Sequence, residues 1–399
     1  MSPSVSDLSP HSTIGRQWDT LAERTEGIDT WCSRLPWQRS VDTAFGHRFT
    51  DEDHDSDRDS GTDSGFGFRS DLGESTDDAY DFGTQSNSPW DHELDDHGLT
   101  DRDHTGLHDN AMAYEPSDPD VVEITSGWAY AFRQRRLADG TVVLLPLDSV
   151  WAFASPIVVD QDPETELPLA IATRQIVDSL VSKPSWQIAF VTGMQRESAL
   201  FGSLGYELSK IARLVEGEST DRCIASLDGG YDGFLSRRPR TFRRNLRAAE
   251  RTALRSSISF ESADKAAPKT TVRRLQRVEE QSWKGLEGSG ITSPDMGHLY
   301  ALLVGDLHAV GGLRVTFATK DGTDIGFILG GVLGGSYRGL QLSFVENARR
   351  FSIGNLLQSH EIKRLADEGV IRYDLGMDMP YKRLWSDELM TTTPMVIVR

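Results

Sequence analysis

The chain has 399 residues and a formal net charge of −19, and this length accommodates two domains. The charge is concentrated between Asp51 and Asp120, where 22 acidic and 3 basic residues together carry −19. The whole chain holds 61 acidic and 42 basic residues, so the remainder holds 39 of each sign and is neutral. These numbers exclude a protein that is acidic throughout. The two cysteines are too few for a disulfide scaffold or a cysteine-based zinc site.

The sequence predicts neither a targeting segment nor a membrane segment. Residues 1–17 contain no basic region followed by an apolar stretch, which a secretory signal requires. Apolar residues never run to 18 in succession, so no transmembrane helix is expected. We therefore expect a soluble, cytoplasmic protein.

Residues 13–48 predict the start of a first domain, because large apolar side chains recur there. These are Trp18, Leu21, Ile28, Trp31, Leu35, Trp37 and Phe45. Residues 49–120 consist mainly of Asp, Ser, Gly, His and Thr and cannot bury enough apolar surface to offset chain ordering. We predict a disordered acidic insertion. Its five histidines leave a metal-binding tract as an alternative, but their spacing matches no defined site and we expect no metal.

Residues 121–221 predict the remainder of the first domain. Two strands are expected in ITSGWAYAFRQRRL and GTVVLLPLDSVWAF, on either side of an Ala-Asp-Gly turn. Periodicity then predicts helices at 169–182 and 195–204, the second ended by Gly205, and strands at 186–191 and 206–215. Strands that alternate with helices indicate an α/β unit.

Residues 222–399 predict a second domain, in which helices precede a three-strand meander. The expected helices cover 231–255 with a break at Pro239, 271–285, 293–310 and 352–368. The expected strands cover 257–262, 313–319, 324–333, 336–344, 371–375 and 393–398.

The first candidate motif is an arginine-rich helix, RRPRTFRRNLRAAER and the residues after it. Its arginines recur at steps of three and four, which places them on one helix face: Arg240, Arg243, Arg244, Arg247, Arg251 and Arg255. Phe242, Leu246 and Ala249 fall on the opposite face. A cationic stripe can hold the phosphates of a nucleotide or a nucleic acid, and Arg243, Arg244 and Arg247 are the phosphate-binding candidates. A solvated face paired with acidic neighbours is the alternative.

The second motif is SFVENARRFSIGNLLQSHEIKRLADEG, a strand, a loop and a helix. A loop that opens a helix with Ser and Gly presents backbone N–H groups, and the helix dipole adds partial positive charge, so a pyrophosphate can bind there. The candidates are Arg349, Arg350, Ser352, Ile353, Gly354 and Asn355. A helix that is merely capped by Ser352 is the alternative.

The third motif is YDLGMDMPYKRLW, in which a strand is followed by a tight turn and a loop. The strand delivers Asp374, Gly376 allows the turn, and Tyr381, Lys382 and Trp385 follow. A carboxylate and a lysine close together can move a proton or stabilise an oxyanion. A turn tied by an ion pair between Lys382 and Asp374 or Asp378 is the alternative.

In this order the three motifs resemble the BioF/CelD-type branch of the GNAT-superfamily acetyltransferases, which is related to the FemAB peptidoglycan peptidyltransferases. The resemblance is specific over residues 222–390 and looser over 13–46 and 121–221. It implies an α/β (α+β) fold of two tandem GNAT-like domains, each with a mixed, mainly antiparallel sheet flanked by helices. We place the segments at 13–48, 49–120, 121–221 and 222–399.

The resemblance also implies roles for the motifs. The loop and helix start at 349–355 would take the pantetheine-pyrophosphate arm of the donor, and Asp374, Tyr381, Lys382 and Trp385 match the family's tail motif position by position. The expected function is an acyl-CoA-dependent N-acyltransferase that uses acetyl-CoA or another acyl-CoA and a small-molecule, sugar or peptide amine. The catalytic candidates are Lys382, Asp374, Glu346 and Tyr381.

Two other functions stay open at this point. One is an aminoacyl-tRNA-dependent peptidyltransferase of the FemAB type, with the arginine-rich helix against tRNA phosphates. The other is a non-enzymatic nucleic-acid-binding or scaffold protein. Binding to polynucleotides that falls steeply with salt would favour the second, whereas thermal stabilisation by acetyl-CoA would favour the acyl-CoA enzyme.

Overall fold

The computed structural model describes residues 3–46, 120–183, 186–288 and 290–399. The insertion predicted at 49–120 therefore lies outside the described residues, apart from Asp120. The described residues form two seven-stranded sheets with helices packed on each, which confirms the predicted fold of two tandem α/β units. Within these ranges, the helices are too short or too polar to cross a bilayer.

The first sheet has the strand order β1-β2-β3-β5-β14-β6, with β4 paired to β2. Only β3 and β5 pair in parallel, so this sheet is mixed and mainly antiparallel, as predicted. Its strands are β1 (Val121–Ile124), β2 (Trp128–Arg136), β3 (Val142–Leu145), β4 (Ile157–Val159), β5 (Ile188–Val191), β6 (Arg213–Glu216) and β14 (Met395–Val398). The helices of this part of the chain are α1 (Thr13–Arg24), α2 (Leu35–Phe45), α3 (Leu169–Ser182) and α4 (Ala199–Leu208).

The second sheet has the order β13-β7-β12-β11-β10-β9-β8, and only β11 and β12 pair in parallel. Its strands are β7 (Thr220–Ser226), β8 (Ile258–Ser262), β9 (Leu313–Lys320), β10 (Thr323–Leu333), β11 (Ser336–Phe344), β12 (Arg372–Met377) and β13 (Glu388–Thr392). Its helices are α5 (Gly230–Ser236), α6 (Arg240–Arg255), α7 (Pro268–Glu279), α8 (Trp283–Leu286), α9 (Pro294–Ala309), α10 (Ile353–Asp367) and α11 (Pro380–Arg383).

The C-terminal strand is placed differently from the prediction. We expected it in the second unit, but β14 pairs with β5 and β6 of the first sheet. Met395 and Ile397 are buried in the first core. Periodicity predicts which residues of a strand are buried, but not which sheet buries them. The boundary expected between 221 and 222 also falls inside β7, which belongs to the second sheet.

The predicted end of the fourth helix at Gly205 is wrong. The helix begins after Ser198, whose side chain accepts a hydrogen bond from the N–H of Phe201 at 3.1 Å, and it continues to Leu208. Gly205 does not have a positive φ. Glycine ends a helix because it adopts the left-handed conformation, so a glycine with helical φ leaves the helix unbroken.

The predicted apolar anchors of residues 13–48 are all buried, but they serve two cores. Trp18, Leu21 and Leu35 belong to the core of the first sheet. Trp31 and Trp37, with the buried face of α2, pack into the core of the second unit, where α2 contacts α9. The N-terminal segment thus joins the two units.

A buried carboxyl group lies beside this junction. The Oδ2 atom of Asp148 accepts hydrogen bonds from the indole N–H of Trp37 at 3.1 Å and from the backbone N–H groups of Phe153 and Ala154 at 3.0 and 2.8 Å. Its Oδ1 atom has no hydrogen-bond partner among the described residues. Burial raises the pKa of Asp148 from 3.8 to about 7, against the opposing effect of these donors.

The raised pKa predicts that stability falls as the pH rises. The folded chain holds this proton up to about pH 7, whereas the unfolded chain releases it near pH 3.8. The stabilisation is therefore complete below the unfolded value and is lost between these two pH values. Asp148→Asn keeps an oxygen acceptor and cannot ionise. The free energy of unfolding, measured by urea titration, should rise in Asp148→Asn relative to the wild type as the pH increases from 4.5 to 7.5. A difference between the two proteins that stays constant over this range would contradict the assignment.

Candidate functional site

A cleft opens in the second sheet where β11 and β12 separate. The two strands pair only at Ser336–Arg372, Tyr337–Tyr373 and Arg338–Asp374, whereas β10 and β11 pair along the whole length of β11. Beyond the paired positions lies a cleft of about 790 Å³. One wall is formed by residues 339–344 of β11, and the other includes Leu375, Met379, Tyr381 and Lys382. A ligand can therefore lie between two strands of one sheet.

Side chains behind β11 anchor that wall of the cleft. The hydroxyl of Tyr300 on α9 donates to the carbonyl oxygen of Leu340 at 3.0 Å. The Nε2 atom of Gln341 donates to Oε1 of the buried Glu279 on α7 at 2.7 Å. Burial raises the pKa of Tyr300, so its hydroxyl stays a donor. These contacts fix β11 against the helices without a partner strand on the cleft side.

The start of α10 lies at one end of this wall. A 3-10 turn, Glu346–Phe351, follows β11, and Ser352 precedes the helix in the left-handed conformation with φ +56°. Ser352 makes no side-chain capping hydrogen bond, so the alternative of a serine-capped helix is not what the structure shows. Arg349 and Phe344 line the cleft.

The other predicted donor residues have different environments. Ile353 is fully buried in the second core, and Gly354 is buried beside it. Asn355 is half-buried, and the exposed guanidinium of Arg350 lies 4.8 Å from the ring centre of Phe351. Arg349 is thus the one of the six that lines the cleft with its own atoms in the described structure.

Glu346 is exposed at the start of the 3-10 turn and forms an ion pair with Arg349. The Nε–Oε1 and Nη2–Oε2 distances are 3.0 and 3.1 Å. Its carboxylate is not among the groups that line the cleft.

Lys382 and Tyr381 line the cleft from the short helix α11. The Nζ atom of Lys382 donates to the carbonyl oxygen of Met377 at 3.1 Å and lies 5.7 Å from the ring centre of Tyr381. Burial lowers the pKa of Lys382. Asp378, which the ion-pair alternative offered as its partner, is bound by Arg383 instead.

Asp374 faces away from the cleft. Its Oδ2 atom lies 2.9 Å from Nη1 of Arg338 and 3.5 Å from Nη1 of Arg222, and its Oδ1 accepts the N–H of Gly376 at 2.8 Å. The side chain is buried and does not line the cleft. Asp374 and Lys382 therefore have different environments, one among buried arginines and the other in the cleft.

The arginines of α6 lie on the surface. Arg240, Arg244, Arg247, Arg251 and Arg255 are exposed and Arg243 is half-buried. They form no salt bridges with other described residues. Leu246 and Ala253 are buried, and Phe242 packs edge-on against Trp385 with ring centres 4.8 Å apart. The helix contacts α10 and the 3-10 turn before it, and its residues are not among those that line the cleft.

Sequence reasoning missed the third wall of the cleft, which α8 provides. Trp283, Lys284 and Glu287 line it, and Nζ of Lys284 donates to the carbonyl oxygen of Leu342 at 3.3 Å. The segment was predicted as part of a longer helix at 271–285. The signal in the sequence was a Trp and a Lys directly before Gly285. Only the contact of α8 with β11 places these two side chains in the cleft.

The described residues contain no cluster of three or more His, Cys, Asp or Glu side chains arranged for a metal ion. The polar residues that line the cleft are Lys284, Glu287, Gln341, Ser343, Arg349, Gln358, Tyr373, Tyr381 and Lys382.

Comparisons with known proteins bear on this geometry. Residues 238–383 match the family described as Acetyltransferase (GNAT) domain. Curated protein sequences give no significant match. Among solved structures, the chain is similar to FemX, with 12% identity and a TM-score of 0.49 over 69% of this chain and 88% of that one.

Two further structures are similar. For L-PGS from Bacillus licheniformis, the identity is 11% and the TM-score 0.45, over 70% of this chain and 84% of that one. For a tandem GNAT protein from the clavulanic acid biosynthesis pathway, the values are 12% and 0.37, over 70% and 82%. The family match spans α6 to α11, including the cleft and every predicted site residue. Residues 238–383 thus match a GNAT acetyltransferase domain, and this match supports an acyltransferase.

Proposed function

We propose that this protein is an acyl-CoA-dependent N-acyltransferase of the BioF/CelD-like branch, and that its donor lies in the cleft between β11 and β12. The observation that carries the proposal is the separation of these two strands after three paired residues, beside the start of α10. The pantetheine arm is long and thin, with amide groups that can bond to unpaired strand backbone. A cleft between strands fits such a group.

The donor's pyrophosphate fits the end of the cleft at Phe344 and Arg349. The first turn of a helix leaves backbone N–H groups without intrahelical partners, and the helix dipole favours anions there. Arg349 adds a cation at the same end. The helix α6, which carries Arg243, Arg244 and Arg247, contacts the 3-10 turn before α10, and its arginines add positive charge to this part of the unit.

In the proposed reaction, the nitrogen of a neutral amine attacks the thioester carbon, the carbon–sulfur bond breaks, and the nitrogen gives up a proton to water or a base. Lys382 lines the same cleft as residues 339–344 of β11. Its partly desolvated ammonium can stabilise the oxyanion. Tyr381 lines the same wall. Asp374 is held in buried ion pairs and Glu346 is paired with Arg349, so neither is the favoured base.

The second candidate is transfer from an aminoacyl-tRNA. The observation that favours it is the exposed arginine face of α6, whose six cations lie along about 22 Å of helix at 1.5 Å per residue. Phosphates of an RNA can follow such a stripe. A thermal-shift series separates the two candidates. Acetyl-CoA at a hundredfold excess over its Kd should stabilise the protein by about 2.7 kcal/mol, whereas a tRNA donor predicts RNA binding that falls steeply with salt.

Gly354→Val tests the position of the donor. A branched side chain in the first turn of α10 hinders close approach of the backbone to a pyrophosphate. We expect the Kd for CoA, measured by calorimetry, to rise roughly tenfold, about 1.4 kcal/mol. Gly354→Ala is the matched control and should have a smaller effect. If CoA binds Gly354→Val as tightly as the wild type and both proteins are folded, the donor lies elsewhere.

A further inference from the structure

A buried ion pair joins the two cleft strands at the position where they separate. Arg338 of β11 and Asp374 of β12 are opposite each other in the last pair of the short ladder, and Nη1 of Arg338 lies 2.9 Å from Oδ2 of Asp374. Both side chains are buried. We call this position the vertex of the cleft.

The second unit alone leaves the vertex with an excess positive charge. Arg222 of β7, the other neighbour of β12, is 1% exposed, and its Nη1 lies 3.5 Å from Oδ2 of Asp374. Two guanidinium groups therefore share one carboxylate. An uncompensated charge in a protein interior is strongly destabilising.

The first unit supplies the missing carboxylate. Asp29, in the segment between α1 and α2, contacts Nη1 of Arg222 through Oδ2, and the same oxygen lies 3.8 Å from Nη1 of Arg338. Its Oδ1 accepts the N–H of Cys32 at 3.2 Å, and its own N–H donates to the carbonyl oxygen of Gly193 at 2.8 Å. Backbone groups of the first unit thus hold Asp29 in place, and its carboxylate contacts the two arginines of the second unit.

The vertex is connected to the cleft wall that carries Lys382. The Oδ1 of Asp374 accepts the N–H of Gly376, which adopts φ +86° near the end of β12. The chain continues from Met377, the last residue of β12, into α11, and Nζ of Lys382 donates to the carbonyl oxygen of Met377. These two hydrogen bonds link the Asp374 carboxylate to the end of β12 and, through it, to Lys382.

We propose that Asp29 is a positioning residue for the acyl-transfer site. By balancing the two arginines, it keeps Asp374 on Arg338 and on the N–H of Gly376. Docking of the first unit thereby sets the opening between β11 and β12 and the place of Lys382. The proposal rests on the proposed function only in treating this cleft as the donor site.

The test compares amide hydrogen exchange in the wild type and in Asp29→Asn, which removes one charge at constant shape. Arg222 and Arg338 then compete for Asp374. We expect exchange in residues 339–344 and 375–382 to accelerate at least tenfold and the Kd for CoA to rise at least tenfold. Asp42→Asn is the matched control. Asp42 is a buried first-unit carboxylate that binds Arg133 and Arg39 but lies in α2, outside the vertex.

A double variant distinguishes charge balance from a merely structural contact. Asp29→Asn with Arg222→Gln removes one charge of each sign and leaves Arg338 paired with Asp374. We expect it to restore wild-type exchange in the two segments, a strongly non-additive result. If Asp29→Asn alone fails to fold, we still expect the double variant to fold and to show wild-type exchange in the two segments.

Three results would overturn the inference: equal exchange patterns in Asp29→Asn and Asp42→Asn, additive effects in the double variant, or failure of both Asp29 variants to fold. If the wild type binds no CoA, the proposed donor is wrong, and the exchange comparison still decides the role of Asp29.

Discussion

Lys382→Met is expected to lower kcat/KM by about 10², the scale of losing one charged stabiliser of a developing oxyanion. Methionine keeps much of the side chain's length and apolar contact but removes the ammonium. Because Nζ of Lys382 makes its hydrogen bond to the carbonyl oxygen of Met377 and no ion pair with Asp378, the loss of stability should be small. The measurements are steady-state kinetics with an acyl-CoA and an amine acceptor, and the midpoint of thermal unfolding.

Arg383→Met is the matched control for this prediction. Arg383 follows Lys382 on the same short helix, is exposed, and binds Asp378 outside the cleft. Its replacement should leave kcat/KM within a factor of about three, since an exposed ion pair contributes little. If Lys382→Met turned over normally and lost stability instead, Lys382 would be a structural residue of the turn.

Asp374→Asn is expected to lower the free energy of unfolding by about 3–5 kcal/mol, the usual effect of breaking a buried ion pair on one side. The variant leaves Arg338 and Arg222 with Asp29 as their only carboxylate at the vertex. Urea unfolding at pH 7 measures this loss. Asp378→Asn, which removes a carboxylate from the neighbouring turn, should cost at most about 1 kcal/mol.

The same variant also tests Asp374 as a base. A general base whose loss affects chemistry would give a stable Asp374→Asn protein with a much lower kcat. We expect instead that the free energy of unfolding of Asp374→Asn is lowered. Comparison with Lys382→Met thus separates two residues that the sequence placed in one motif.

Much of the second unit could be predicted from the sequence. The helices α6 and α10 and the strands β9, β10 and β11 lie within a few residues of the predicted ranges, because each carries its own periodicity and turn residues. Lys382, Tyr381 and Arg349 were named from the motifs, and all three line the cleft. Their roles remain predictions.

Other features depend on partners far away in the chain. The periodicity of α8 gives no indication that Trp283 and Lys284 line the cleft, because that follows from the packing of α8 on β11. The motif predicts Asp374 as a catalytic candidate because a strand delivers it close in sequence to a lysine. Its burial comes from Arg338, 36 positions away, and from Arg222 on a third strand.

By itself, the sequence determined the helices α6 and α10, the strands β9, β10 and β11, and the motif order that indicates acyl transfer, because these depend on residues close together in the chain. Only the tertiary structure decided that β14 completes the first sheet, that α2 packs into the second core, and that Asp29 reaches the vertex beside Arg222. Hydrophobic periodicity is satisfied by any apolar partner, and a buried charge by any opposite charge. Which partner is used depends on how the two units dock.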